Sequence, residues 1–176
     1  MALIIGEHIL AGYNTGMSSS PDIHVRCACS EGSPAIKIIL YETFASTWLP
    51  HLTSAAAETY KRQDRPTAYI NEQAILSWVA EQDGGVVGFV GLEGNFVNAL
   101  HVRPSRARMG VGSRLMDKVE AEISAEGFAA VRPETDTFNV PSLTFYIGRG
   151  YREVDRYPDT EWGSGLTTVL LEKLFT

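Results

Sequence analysis

Residues 102–115 read Val-Arg-Pro-Ser-Arg-Ala-Arg-Met-Gly-Val-Gly-Ser-Arg-Leu, a run of residue types suited to holding an anion. An apolar strand pattern ends at Val102, glycines alternate at Gly110 and Gly112, and an amphipathic helix pattern begins at once. Glycines let successive backbone N–H groups converge, and a helix N-terminus adds partial positive charge at the same point. Arg103, Arg106, Arg108 and Arg114 stand beside the glycines and offer charge-assisted hydrogen bonds to phosphate oxygens. The expectation is a phosphate-bearing ligand held by the N–H groups of Met109, Gly110, Val111, Gly112, Ser113 and Arg114, with Arg108 the foremost side-chain contact. A solvated basic face is the plainer reading of the same arginines. Three further side chains can move protons. Tyr146 offers a phenol, which either donates a proton within hydrogen-bond reach or packs beside Phe145. Glu93, in Leu92-Glu93-Gly94-Asn95, is either a base or a turn residue, and His101 has an imidazole of suitable pKa.

The elements that position these groups follow from periodicity. Ile23 to Arg26 alternates as a strand, and apolar residues at 36, 39, 40, 44 and 48 recur at helical spacing until Pro50 interrupts. Ser54 to Arg62 reads as a second helix. Residues 75–81 and 86–92 form two strands joined at Asp83-Gly84-Gly85, and Asn95 to Val102 adds a third. Strand alternation places Leu100 and Val102 on one face and His101 on the other. The helix after the glycines carries a core stripe at 111, 115, 116, 119 and 123, with Gly127 as its C-terminal cap. Phe128 to Pro133 is a strand, Pro141 opens a helix to about Gly148, and Tyr151–Tyr157 and Leu166–Leu174 are two last strands. Their connecting loop holds Pro158, Trp162, Gly163 and Gly165. The order predicts an α+β fold in which residues 23–176 form a single domain after an N-terminal extension or linker at 1–22.

Composition narrows the partners. With 20% charged and 44% hydrophobic residues in 176, the chain reads as a folded globular domain. A net charge of −6 disfavours nucleic acid and anionic membrane surfaces. Cys27 and Cys29 would share one strand face, a poor geometry for bridging, and no second Cys/His pair follows at metal-ligand spacing. Two buried, reduced thiols and no metal are expected. No apolar run reaches membrane-spanning length, and the first residues lack a basic region, so neither a membrane span nor a signal peptide is expected and the cytoplasm is the expected location.

Two motifs in this order resemble the GNAT superfamily of acyl-CoA-dependent N-acetyltransferases. Leu100-His101-Val102-Arg103-Pro104 with Gly110-Val111-Gly112 is similar to the family's first motif, although Ala107 occupies its usual Gln/Arg position, where Arg106 and Arg108 would compensate. Asn139-Val140-Pro141-Ser142-Leu143-Thr144-Phe145-Tyr146-Ile147-Gly148-Arg149-Gly150-Tyr151 matches the second at every defined place. The resemblance implies a mixed, mostly antiparallel central sheet between helices, three layers α/β/α, splayed between the strands ending near Val102 and Pro133. It implies acetyl-CoA as co-substrate, with its pantetheine along Leu100 and Val102, its phosphates at residues 108–114, and a hydrogen bond from Asn139. It further implies Tyr146 as the acid that protonates the departing sulfur, Glu93 as the base, and direct transfer to a primary amine of a small molecule, protein or peptide. The alternative is an inactive acyl-CoA-binding module of the same fold, and a homodimer is compatible with either. A dinucleotide-binding domain fits poorly, since position 115 is Leu and the preceding strands form an antiparallel hairpin. The acidic loop residues Asp155, Asp159 and Glu161, with Tyr157 and Trp162, are expected to draw in a cationic amine or else to form a solvated turn.

Overall fold

A computed structural model describes residues 22–28, 33–73, 77–159 and 163–175. The segment read as an extension therefore lies outside the described residues except for Asp22, as do Cys29, Ile75, Leu76, Glu161 and Trp162. Cys27 is exposed, so the expectation of two buried thiols does not hold for it.

Seven strands form one sheet in the order β1-β2-β3-β4-β5-β7-β6. They are β1 (His24–Cys27), β2 (Ser77–Gln82), β3 (Gly85–Glu93), β4 (Phe96–Val102), β5 (Ala130–Asp136), β6 (Arg152–Pro158) and β7 (Thr167–Leu174). Every neighbouring pair is antiparallel except β4 and β5. The hairpin between β2 and β3 turns on Asp83 and Gly84, both at positive φ (53° and 77°), the geometry that matches strand twist. β4 and β5 pair in parallel only at Phe96 with Arg132 and Val97 with Pro133. Beyond those residues the sheet opens toward Val102 and Asp136.

Helices cover both faces. α4 (Val111–Ala125) buries Val111, Leu115, Met116, Val119 and Ile123, the stripe read from the sequence. Its end is closed by Gly127 N–H to Ser124 O (3.0 Å) and Phe128 N–H to Ile123 O (3.3 Å), with Gly127 at φ 86°. The opposite face carries α1 (Ser33–Thr43), whose Ile36, Ile39 and Leu40 pack on Val79, Phe89 and Ala99. α1 passes into a π-helical turn at Phe44–Trp48 and a 3₁₀ turn at Leu49–His51 containing Pro50. Then come α2 (Ser54–Arg62), capped by the Thr53 hydroxyl, and α3 (Arg65–Gln73).

The sequence reading has two helices between β1 and β2, whereas the structure has three. α3 starts at Arg65-Pro66 after Asp64 at φ 42°, and Tyr69 and Ile70 dock on the α1 cluster. Its nine residues are mostly polar, and Tyr69 and Ile70 are the side chains that anchor it, so packing adds what a short polar helix lacks by itself. α5 (Val140–Gly148) follows β5, as expected from Pro141.

One irregularity shapes the region between the layers. Gly91 pairs with Ala99 and Leu92 with Val97, so Asn98 bulges out of the β3–β4 ladder. The bulge shifts the pleat by one residue. Val97, Leu100 and Val102 therefore join the α4 core, while Ala99 packs on the α1 side. A Cβ at Gly91 would lie 2.2 Å from the Tyr69 hydroxyl and 2.3 Å from Asn98 Oδ1, so only glycine leaves room for both side chains.

Candidate active site

The loop between β4 and α4 is built by chain conformation before side chains matter. A 3₁₀ turn at Pro104–Arg106 follows β4, then Arg108 and Gly110 take positive φ (63° and 87°). Alternation of handedness of this kind turns backbone N–H groups toward one point. Gly110 precedes α4 and has no side chain to cap it. The first intrahelical bond of the turn runs from Arg114 N–H to Gly110 O (3.0 Å), so the N–H groups of Val111, Gly112 and Ser113 face out of the helix end. Gly88 brings this helix end onto β3, since a Cβ there would lie 2.9 Å from His101 O and Val111 Cγ1.

A cavity of about 680 Å³ opens at this helix end. Leu100, Val102, Arg108, Gly110, Gly112, Ser113, Asn139 and Phe145 line one part of it, and Thr43, Thr47, Trp48, His51 and Phe138 the other. Of the four arginines in the sequence motif, only Arg108 lines it. Arg103 Nε lies 3.5 Å from Glu42 Oε2, and Arg106 Nη1 is 3.0 Å from Asp83 Oδ2 and 3.2 Å from Gln82 Oε1. Arg114 and Met109 are exposed and Val111 is a core residue, none of them part of the cavity wall. Met109 and Val111 can meet an anion through their backbone N–H groups alone, and the Arg114 N–H is taken by Gly110 O. Ala107, the departure from the family motif, is in the wall. Arg106, assigned to compensate for it, is turned to Asp83 instead.

A second cavity of about 270 Å³ adjoins the first, and Trp48, Leu100, His101, Asn139 and Ser142 belong to both walls. Its apolar side is Leu40, Phe44, Tyr60 and Tyr69, with Phe44 and Tyr60 stacked at 3.6 Å. Glu134, Asp136 and Asp159 line it too, together with Arg65.

Tyr146 lies in this second wall with 3% of its surface exposed, edge-on to Phe145 and Tyr151. No hydrogen bond to its hydroxyl is seen among the described residues. Burial raises its pKa, so the phenol keeps its proton. His101 stacks on Phe89 (5.2 Å, 8°), and its Nδ1 lies 2.8 Å from Thr43 Oγ1. Burial holds its pKa down at about 4, so the imidazole is neutral. Asp136 Oδ2 accepts from Trp48 Nε1 at 2.8 Å. Burial, then the nearby carboxylates Asp159 and Glu134, raise the Asp136 pKa against the lowering effect of that indole. Asn139 caps α5 through Ser142 N–H (3.3 Å) while lining both cavities.

Several expectations need correction. Glu93 is exposed at the β3–β4 turn, paired with Phe96 at the far end of β4 from Val102, and lies in neither cavity wall. Asp155 is exposed on β6 and Tyr157 bonds to Glu134, leaving Asp159 as the described loop carboxylate in the wall. His51, exposed in the first cavity's wall, stacks on Phe138 at 4.2 Å. Sequence reasoning missed Glu134 and Asp136. The signal was available, for carboxylates two apart near the end of a strand share one face, just before the Asn139 motif. Among the described residues no group of three or more His, Cys, Asp and Glu side chains is placed to hold a metal ion, and no helix is long and apolar enough to cross a membrane.

A sheet splayed beside a glycine loop and helix end defines an acyltransferase-type fold, and comparison with known proteins supplies the family. Residues 39–151 match the family model "Acetyltransferase (GNAT) family", and the chain belongs to that family. Peptidyl-lysine N-acetyltransferase YiaC of Escherichia coli (strain K12) is 35% identical over 80 residues, 45% of this chain and 51% of its own. Blasticidin-S acetyltransferase of Streptomyces morookaense is 33% identical over 93 residues, 53% of this chain and 66% of its own. The chain thus spans between half and two thirds of the curated relatives it matches. The PaiA N-acetyltransferase of Thermoplasma acidophilum, solved in complex with coenzyme A, shares the fold with a TM-score of 0.72 at 19% identity, covering 88% of this chain and 99% of its own.

Proposed function

We propose that this protein is an N-acetyltransferase that moves the acetyl group of acetyl-CoA directly to a primary amine of a small molecule, protein or peptide. The observation that carries the reading is the pair of adjoining cavities. One ends at the outward-facing N–H groups of the first turn of α4, the other holds carboxylates, and they share the wall at Leu100 and His101. A donor with phosphates fits the first and an ammonium the second. Relatives named for acetyl transfer to peptidyl-lysine and to blasticidin-S, and a fold neighbour solved with coenzyme A, support this.

In this reading Arg108 and the N–H groups of Met109, Gly110, Val111, Gly112 and Ser113 hold the pyrophosphate, while the Arg114 N–H, bonded to Gly110 O, closes the first turn of α4. Leu100 and Val102 guide the pantetheine, and Asn139 steadies it near the thioester. Tyr146 protonates the departing sulfur. Holding thioester and amine together removes a large entropic barrier, worth about 7–11 kcal/mol at good alignment. No role is left for Glu93. The acting unit is a single domain from residue 23, in the cytoplasm, without nucleic acid or membrane as partner, and a homodimer is compatible with it.

Thiol release from acetyl-CoA across a panel of primary amines tests the reading. At least one cationic amine should be acetylated, and Tyr146→Phe should lower kcat about 10²–10⁴-fold with acetyl-CoA affinity nearly intact. Tight acetyl-CoA binding with no transfer to any amine would identify a binding module instead. Wild-type turnover in Tyr146→Phe would make Tyr146 a packing residue.

A further inference from the structure

The three carboxylates of the second cavity are not equivalent. Glu134 accepts from the Tyr157 hydroxyl, and Asp159 Oδ2 accepts from Ser164 N–H at 3.0 Å. Asp136, half-buried at the end of β5, is met on Oδ2 by the Trp48 indole, and no donor to Oδ1 is seen among the described residues. Trp48 reaches it from across the splay of the sheet, because the π-helical turn at 44–48 carries the indole out of the α1 register. A separate feature of the same wall also calls for a ligand. Tyr146 is 3% exposed and lines the cavity, and no hydrogen bond to its hydroxyl is seen among the described residues. A hydroxyl so placed is open to a hydrogen bond with whatever occupies the cavity.

We propose that Asp136 receives the ammonium group of the acceptor and takes its proton, so that the site selects primary amines carried as cations. The proposal rests on the acetyltransferase reading above. Asp136 would draw the ammonium in and remove one proton, leaving the nitrogen lone pair free. That lone pair forms the N–C bond to the thioester carbonyl as the C–S bond breaks. The departing sulfur takes the Tyr146 proton, and the second nitrogen proton restores the phenol. Asp136 returns its proton to water, so that R–NH₃⁺ and acetyl-CoA yield the amide, free CoA thiol and one H⁺. The other titratable groups of the cavity wall suit this division. Glu134 and Asp159 share the negative field, Arg65 stands on α3, and His101, Tyr60 and Tyr146 are neutral. The raised proton affinity of Asp136 improves a carboxylate as a base.

The test uses an amine that the wild type acetylates, paired with a β-fluorinated analogue that is already neutral at pH 7. Asp136→Asn should lower kcat/KM for the cationic amine about 10²–10⁴-fold. It should cost the neutral analogue less than about tenfold, with acetyl-CoA Kd unchanged. The acid limb of the kcat/KM profile should move up to the amine's own pKa, and Asp136→Glu should restore part of the rate. In the wild type alone, the trimethylammonium analogue of the acceptor should compete with the amine far better than its uncharged tert-butyl isostere. Equal losses for both amines, an unchanged pH profile in Asp136→Asn, or equal inhibition by the two isosteres would overturn the proposal while leaving acetyl transfer standing. A wild type that binds acetyl-CoA yet acetylates no amine would overturn both.

Discussion

An imidazole stacked on a phenyl ring inside a wall of aromatics gives up its proton more readily than one in water, and His101 shows the consequence. Its folded pKa is about 4 against 6.5 for a free histidine. Below pH 6.5 the unfolded chain therefore binds a proton that the folded chain refuses. Stability should be full above pH 6.5, fall as the pH drops toward 4, and flatten beneath it. The contribution is up to about 3 kcal/mol. His101→Gln keeps a polar group near Thr43 but does not titrate, so urea unfolding at pH 7 and pH 4.5 should show a smaller acid loss than in the wild type. An identical loss would place the acid sensitivity on other groups.

At the scale of elements, the loop from Val102 to Val111 is a backbone device. Arg108 accepts a left-handed conformation that a non-glycine residue adopts at a cost, and Gly110 takes one freely. Substitution at Gly110 therefore mixes strain with chemistry unless the two are separated. Asn tolerates positive φ and matches Asp in shape, so Gly110→Asn and Gly110→Asp differ mainly in charge. Isothermal titration should find acetyl-CoA bound by the Asp variant at least about tenfold more weakly than by the Asn variant, from repulsion between like charges at close range. Equal affinities would place the phosphates away from this loop. The π-helical turn is the second device of this kind, because it sets Trp48 against Asp136 and so joins the α1 layer to β5 across the opening.

Across the whole molecule, a sheet that splays must be held together elsewhere. One clamp sits on Glu120 of α4. Its Oε1 accepts from Arg149 Nη2 (2.9 Å) and the Tyr151 hydroxyl (3.0 Å), and its Oε2 from Lys173 (2.7 Å). It thereby ties α4 to the end of α5, the start of β6 and β7. The Glu120 and Arg149 side chains are 14% and 16% exposed, so the charges are weakly screened and the loss of one strands the others. Glu120→Gln should cost about 2 kcal/mol, less than a fully buried pair. For a domain of this size that lowers Tm by about 4–8 °C. Thermal unfolding followed by circular dichroism checks it, and an unchanged Tm would mean the cluster is a solvated surface feature. Charge also acts over the whole chain, since a net −6 concentrates cations near a carboxylate-lined cavity.

Periodicity and motif order made most of the architecture legible from the chain alone. The α4 stripe, the Asp83-Gly84 hairpin, the Pro141 helix and the opposite faces of Leu100 and His101 all follow from local chemistry repeated at fixed intervals, and the opening between β4 and β5 was implied by the resemblance that the two motifs carry. The glycine loop was legible for the same reason, since its geometry depends on which residues tolerate positive φ. What stayed hidden depends on residues far apart in sequence. Nothing local makes α3 helical, pairs Arg103 with Glu42 and Arg106 with Asp83, or leaves Glu93 at a remote turn. Nor does any spacing announce that Trp48 meets Asp136, 88 residues away. The sequence by itself determined most of the elements and the glycine loop, because those are written in neighbouring residues. Tertiary structure alone decided which carboxylates share the cavity with Tyr146, because that rests on how two sheet halves and two helical layers come together.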